Sequence, residues 1–184
     1  LAEPADVVLA APARLGAVRL VAIDGPSGSG KSTLAAGLVA ALAERGVRAV
    51  VVPTDHFATW ADPVSWWPRL VDGVLTPLSR GEAGRYRRND WSGGTPRPGA
   101  EVEVAVPEVL VVEGVSAGRR SVRPVLSCLV WVEVSPESAR LARSVRRDGA
   151  HTRADFLRWQ AFERGWFAVD GTRAAADVLI ESGE

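Results

Sequence analysis

The sequence predicts a three-layer α/β domain, with a doubly wound, mainly parallel five-stranded sheet and helices on both of its faces. Short apolar runs suit strands buried on both sides, and helix-forming stretches alternate with them. A glycine-rich turn also stands at the first strand-to-helix junction. The 184 residues suit one domain over 1–184 with a modest insertion.

The first strand is read from Val18-Arg-Leu-Val-Ala-Ile-Asp24. Glycines from Gly25 to Gly30 break it, and Lys31 to Arg45 is rich in helix formers, with Gly46 placed as a stop. Arg48 to Pro53 is the second strand, so this unit is βαβ and predicts parallel pairing. Residues 54–99 hold four of the seven tryptophans, many Pro and Gly, and the basic stretch Arg85-Tyr-Arg-Arg88. They read as an insertion of short helices and loops. Glu101 to Val106 alternates charged and apolar residues, which predicts an edge or half-exposed strand. The sheet resumes at Val109–Val112, ending in Glu113-Gly114, and again at Cys128–Val134.

Ser135-Pro136-Glu137 reads as a helix start, with Ser135 as N-cap and Pro136 at the first helical position. That helix is expected to end near Arg147, a second to cover Arg153–Phe167, and Ala176–Ile180 to close the sheet.

Charge and composition narrow the function. The formal net charge is zero, so no global positive field recruits nucleic acid or an acidic membrane. A single cysteine, Cys128, and two histidines, His56 and His151, exclude a disulfide framework and a cysteine zinc cluster. The start lacks a basic, then apolar, leader pattern, and no apolar run approaches the roughly 18 residues of a membrane span. The expectation is a cytoplasmic protein. All its basic residues but one are arginine, which makes the position of Lys31 informative.

Gly25-Pro26-Ser27-Gly28-Ser29-Gly30-Lys31-Ser32 fits G-x-x-x-x-G-K-[ST] in full. Glycines let successive amides curl round an anion where a Cβ would obstruct it, and the following helix adds its dipole. Lys31 is placed to reach the β- and γ-phosphates, Ser32 to offer its hydroxyl to Mg²⁺, and Thr33 to follow in the helix. A chance match is on the order of one in a hundred, and the lone lysine fills the slot that demands lysine. A P-loop NTPase fold binding ATP and Mg²⁺ follows.

Asp55 and Glu113 follow the second and third core strands, where a doubly wound sheet binds ligands. Asp55 is the candidate base, against an Asx-turn; Glu113 is the candidate metal-shell acid, against a turn acid. Asp24 reads as structural. Arg140, Arg143 and Arg147 share a helical stripe, which reads either as a cationic lid over about 140–155 or as a solvated basic face. Within the insertion, Trp60 and Trp91 could stack on a planar acceptor, whereas packing is favoured for Trp66 and Trp67.

The segments VRLVAIDGPSGSGKST, VVVPTDHF, RYRRNDW, VLVVEG, RLARSVRRDG and ADVLI resemble the uridine kinase-like branch of P-loop kinases, and more narrowly its compact actinobacterial members. The resemblance runs from about Arg14 onward. It implies that Asp55 is the first acid of the family's Asp-Asp-Phe-Tyr or Asp-Ser-Phe-Tyr motif, here Asp-His-Phe-Ala, so that His56 and Ala58 depart from it. It further implies acceptor contacts at Tyr86, Arg87 and Trp91; Phe57 is a further candidate contact, and Arg143 and Arg147 of the cationic stripe are expected to stabilise charge on the transferred group. The expected activity is ATP-dependent phosphorylation of a small-molecule hydroxyl, with a nucleoside as acceptor. The alternatives are a sugar, pantothenate-like or antibiotic acceptor, or a nucleotide-gated switch that transfers nothing.

Overall fold

The computed structural model describes residues 2–182. Five strands form one wholly parallel sheet: β1 (Arg19–Asp24), β2 (Ala49–Pro53), β5 (Val109–Glu113), β6 (Leu126–Val134) and β7 (Val178–Ser182). Their spatial order is β2-β5-β1-β6-β7, which puts β1 at the centre. Two further strands, β3 (Gly84–Asp90) and β4 (Arg97–Val104), pair antiparallel as a separate hairpin.

Strand alternation divides the core into two layers. Val21 and Ile23, with Val109 and Val111, pack against Ala5 and Val8 of α1 (Ala2–Ala10) and against Ala35, Leu38 and Leu42 of α2 (Lys31–Ala43). Leu20 and Ala22, with Leu110 and Val112, face the other way onto Trp66, Leu70 and Val74. Each such fully buried aliphatic side chain contributes about 1.5–3 kcal/mol from apolar burial. The second layer is built from short helical pieces, α3 (Trp67–Leu70), a wider turn (Val71–Leu75) and α4 (Thr76–Ser79). Two longer helices, α5 (Glu137–Asp148) and α6 (Arg153–Asp170), lie between β6 and β7, joined through a helical turn at Ala150–Thr152. Cys128 is buried in β6, where desolvation pushes its thiol up to about 12, as befits a core position.

Several expectations need correcting. Residues 84–90 are not a loop but a strand, because Tyr86 and Gly84 turn inward opposite Val102 and Val104. The alternating stretch after residue 100 is a half-exposed strand, one of the two expected forms, and it pairs within this hairpin. Ser135 does not cap α5, whose N-cap is Pro136 and which makes no side-chain cap bond. Helix α1, ahead of the first strand, adds to the expected elements. Among the described residues, no helix is long and apolar enough to cross a membrane.

Candidate active site

The carboxyl end of central β1 runs directly into Gly25–Ser32, which leads into α2. This is the position where open α/β sheets bind ligands. The loop lies against α5 so closely that a Cβ on Gly28 would stand 2.6 Å from the Arg140 carbonyl oxygen, and φ is +75° there. Only glycine fits. Gly28, Gly30, Lys31, Ser32 and Thr33 border a cavity of about 820 Å³. That volume lies toward the upper end of small-molecule sites. Lys31 is largely buried, and its Nζ donates to the Pro26 carbonyl at 2.8 Å.

Two carboxylates enter the cavity from neighbouring strand ends. Asp55 follows β2 on a short helical turn, Thr54–His56, and is exposed to the cavity. Glu113 ends β5, is 7% exposed, and accepts a hydrogen bond from Ser32 Oγ at 3.1 Å. Burial pushes the Glu113 carboxyl above its ordinary range and the Asp55 charge adds to this, while Lys31, the Ser32 bond and Arg147 act against it. The two strand ends are locked together by Gly114, where a Cβ would meet Thr54 Oγ1 at 1.8 Å.

Asp24, fully buried at the end of β1, accepts backbone N–H groups from Gly25, Ser116 and Gly118 at 2.7–3.0 Å. Burial raises its carboxyl to about 6, against the pull of those bonds and of Lys31. It staples the start of the loop to the segment after β5, consistent with a structural acid.

Part of the cavity lining is an aromatic wall. Trp60, Trp91, Phe156 and Trp159 all line the cavity. Trp60 stands edge-on to the other three rings, with centroids 5.3 Å from Trp91, 5.3 Å from Phe156 and 5.9 Å from Trp159. The β3–β4 turn is held over this wall by two indole bonds, Trp60 Nε1 to the Gly94 carbonyl at 3.3 Å and Trp91 Nε1 to the Asp55 carbonyl at 2.8 Å. Ser92, Gly93 and Gly94 thereby enter the lining, as do Asp148, His151 and Thr152 from the α5–α6 junction.

No family model matches the chain, and no curated protein matches its sequence. Solved structures do. The chain is similar to a possible uridine kinase from Bacillus stearothermophilus, at TM-score 0.68 and 19% identity over 97% of this chain and 95% of that one. A candidate fructose transport system kinase from a Silicibacter species gives TM-score 0.68 and 27% identity, covering 97% of each chain. The D-glycerate 3-kinase of Cryptococcus neoformans gives 0.62 and 15% over 88% of this chain and 86% of that one. The chain has the P-loop kinase fold.

Within this P-loop kinase fold, the expected site residues divide. Ser27, Gly28, Gly30, Lys31, Ser32, Thr33, Asp55, Trp91, Glu113 and Arg147 meet at one cavity. Gly25, Pro26 and Ser29 belong to the loop but do not line it. Phe57 does not reach it either: it is 1% exposed and packs between Trp66 and Tyr86, with centroids 5.3 and 4.7 Å away. Tyr86 is buried and does not line the cavity, its hydroxyl 2.7 Å from His56 Nδ1. Desolvation lifts the phenol to about 12 and holds the His56 imidazole below its usual range.

Arg87 is exposed outside the cavity because it alternates with Tyr86 along β3. The arginine stripe splits in the same way. Arg140 and Ser144 are buried facing the loop, whereas Arg143, about 100° round the helix from Ser144, faces solvent. Only Arg147 of that stripe lines the cavity, with its guanidinium held by Asp148 at 2.7 Å. Trp66 and Trp67 are packing residues, as expected. Phe156, Trp159 and His151 were missed as site residues.

Proposed function

We propose that this protein is an ATP- and Mg²⁺-dependent phosphotransferase acting on a hydroxyl of an uncharged ring-bearing acceptor, with a nucleoside as the best-fitting class. One observation carries the reading: the phosphate loop and Asp55 open onto the same cavity as the four-ring aromatic wall. The cations lining that cavity, Lys31 and Arg147, both act on Glu113 and so stand on its phosphate side. The aromatic side therefore suits a planar uncharged group, which stacks on indole faces, better than a carboxylate or phosphate.

The residues fit a metal as well as a nucleotide. Among the described residues no group of three or more His, Cys, Asp or Glu gathers to form a protein cage. Ser32 Oγ beside the desolvated Glu113 supplies instead one hydroxyl and one carboxylate, the sparse protein contribution that Mg²⁺ accepts when phosphates and waters complete its shell. When bound, Mg²⁺ neutralises charge on the β- and γ-phosphates.

In this reading the loop amides and Lys31 hold the polyphosphate. Asp55 takes the proton of the acceptor hydroxyl, whose oxygen forms a bond to the γ-phosphorus as the bond to the β–γ bridging oxygen breaks and ADP leaves. Arg147 stabilises charge on the transferred group, and the aromatic wall orients the acceptor and excludes water.

A sugar acceptor is the second reading. The aliphatic face of a sugar ring also packs on tryptophan, and the neighbour at 27% identity carries a fructose-related name. A panel of uridine, cytidine, adenosine, fructose and D-glycerate, scored for ADP release above the acceptor-free background, separates the two. Stimulation by a nucleoside alone is expected. Stimulation by glycerate alone, or by none of them, contradicts the proposal.

A further inference from the structure

Ser27, the third residue of the phosphate loop, is gripped from behind by a buried ion pair. Glu163 of α6 is 1% exposed and Arg140 of α5 is 8% exposed. The Ser27 N–H donates to Glu163 Oε2 at 2.9 Å, and Ser27 Oγ donates to Glu163 Oε1 at 3.2 Å. Arg140 Nη1 donates to the same Oε1 at 3.1 Å and to the Ser27 carbonyl at 3.3 Å. Arg140 Nε is fixed in turn by the Val134 carbonyl at 3.0 Å. Every polar group of Ser27 is therefore held by one pair of side chains.

Such an arrangement is a poor device for stability. Burying two charges costs more than an apolar pair of the same volume. A carboxylate next to an anion site also repels the ligand unless its charge is cancelled. What the pair does supply is geometry. With the Ser27 N–H and C=O fixed from behind, the following Gly28, Gly30 and Lys31 border the cavity. Gly28 at the same time lies hard against the Arg140 carbonyl, so the loop cannot shift toward α5.

We propose that Glu163, together with Arg140, is a positioning residue that fixes the Ser27 peptide and thereby presets the phosphate loop for the polyphosphate. This rests on the reading of the loop as a polyphosphate site.

The test compares the wild-type chain with Glu163→Gln and with the double variant Arg140→Met plus Glu163→Leu, which replaces the whole pair by apolar groups. Three quantities are measured: the thermal midpoint, hydrogen exchange at the Ser27 amide, and the Mg·ADP dissociation constant by calorimetry. The double variant is expected to keep a midpoint near that of the wild type. Its Ser27 amide exchanges faster, and Mg·ADP binds about 10- to 100-fold more weakly. Glu163→Gln, which keeps an acceptor for the Ser27 amide, shows the same two changes to a smaller degree. A double variant with wild-type affinity, or with a still-protected Ser27 amide, overturns the proposal. Should the double variant not fold, Glu163→Gln decides alone: wild-type exchange and affinity there overturn it equally. A wild-type chain that binds no Mg·ADP contradicts the loop reading instead. A wild-type chain that binds while the double variant binds equally well contradicts only the brace.

Discussion

Replacing Asp55 by Asn is expected to lower acceptor-stimulated ADP release by a factor of about 10² to 10⁴ while leaving Mg·ADP binding intact. The substitution keeps the shape of the side chain and removes the group that receives the proton. Asp55 is well placed for this separation of effects. Its side chain is exposed to the cavity, and its carbonyl is fixed by Trp91, so the turn that carries it does not depend on the carboxylate. Steady-state rates at saturating nucleotide, alongside a binding isotherm, check the expectation. Full transfer activity in Asp55→Asn would remove the base assignment and leave the rest of the site standing.

The second large effect concerns Lys31. Lys31→Met preserves the apolar stem that is buried at the start of α2 and deletes the ammonium, so transfer is expected to fall by about 10² to 10³. Arginine is not expected to rescue it, because a planar fork cannot occupy the place of a compact ammonium beside the Pro26 carbonyl. The chain has no other lysine to substitute for it. A thermal midpoint close to that of the wild type shows that the loss is one of function. Retention of wild-type turnover by the folded variant would contradict the assignment of Lys31 to the phosphates.

The phosphate loop, Asp55 and Glu113 were legible because each is encoded locally: a glycine spacing with its lysine, and acids directly after apolar strands. The doubly buried strands were legible for the same reason, since both faces of β1 and β5 are apolar. The hairpin was not read, although its signals were present. Tyr86 alternates with Arg85 and Arg87, Ser92-Gly93-Gly94 makes a turn, and residues 101–104 alternate in answer. The adjacent Arg87 and Arg88 mask that period of two.

The aromatic wall was only half visible. Trp60 and Trp91 carry a local signal for stacking, but Phe156 and Trp159 reach Trp60 from a helix nearly a hundred residues further on. Long-range meeting of that kind has no local signature. Nor does the partnership of Arg140 with Glu163, which is set by how α5 crosses α6. Arg143 and Arg147 lie one turn apart on the same side of α5, and it is the structure that shows Arg147 lining the cavity while Arg143 does not.

Calorimetric titration of the freshly purified wild-type chain with Mg·ADP tests the polyphosphate site most directly. A saturable, single-site heat that disappears in folded Lys31→Met is the predicted result. Absence of heat from the wild-type chain would contradict the account at its base.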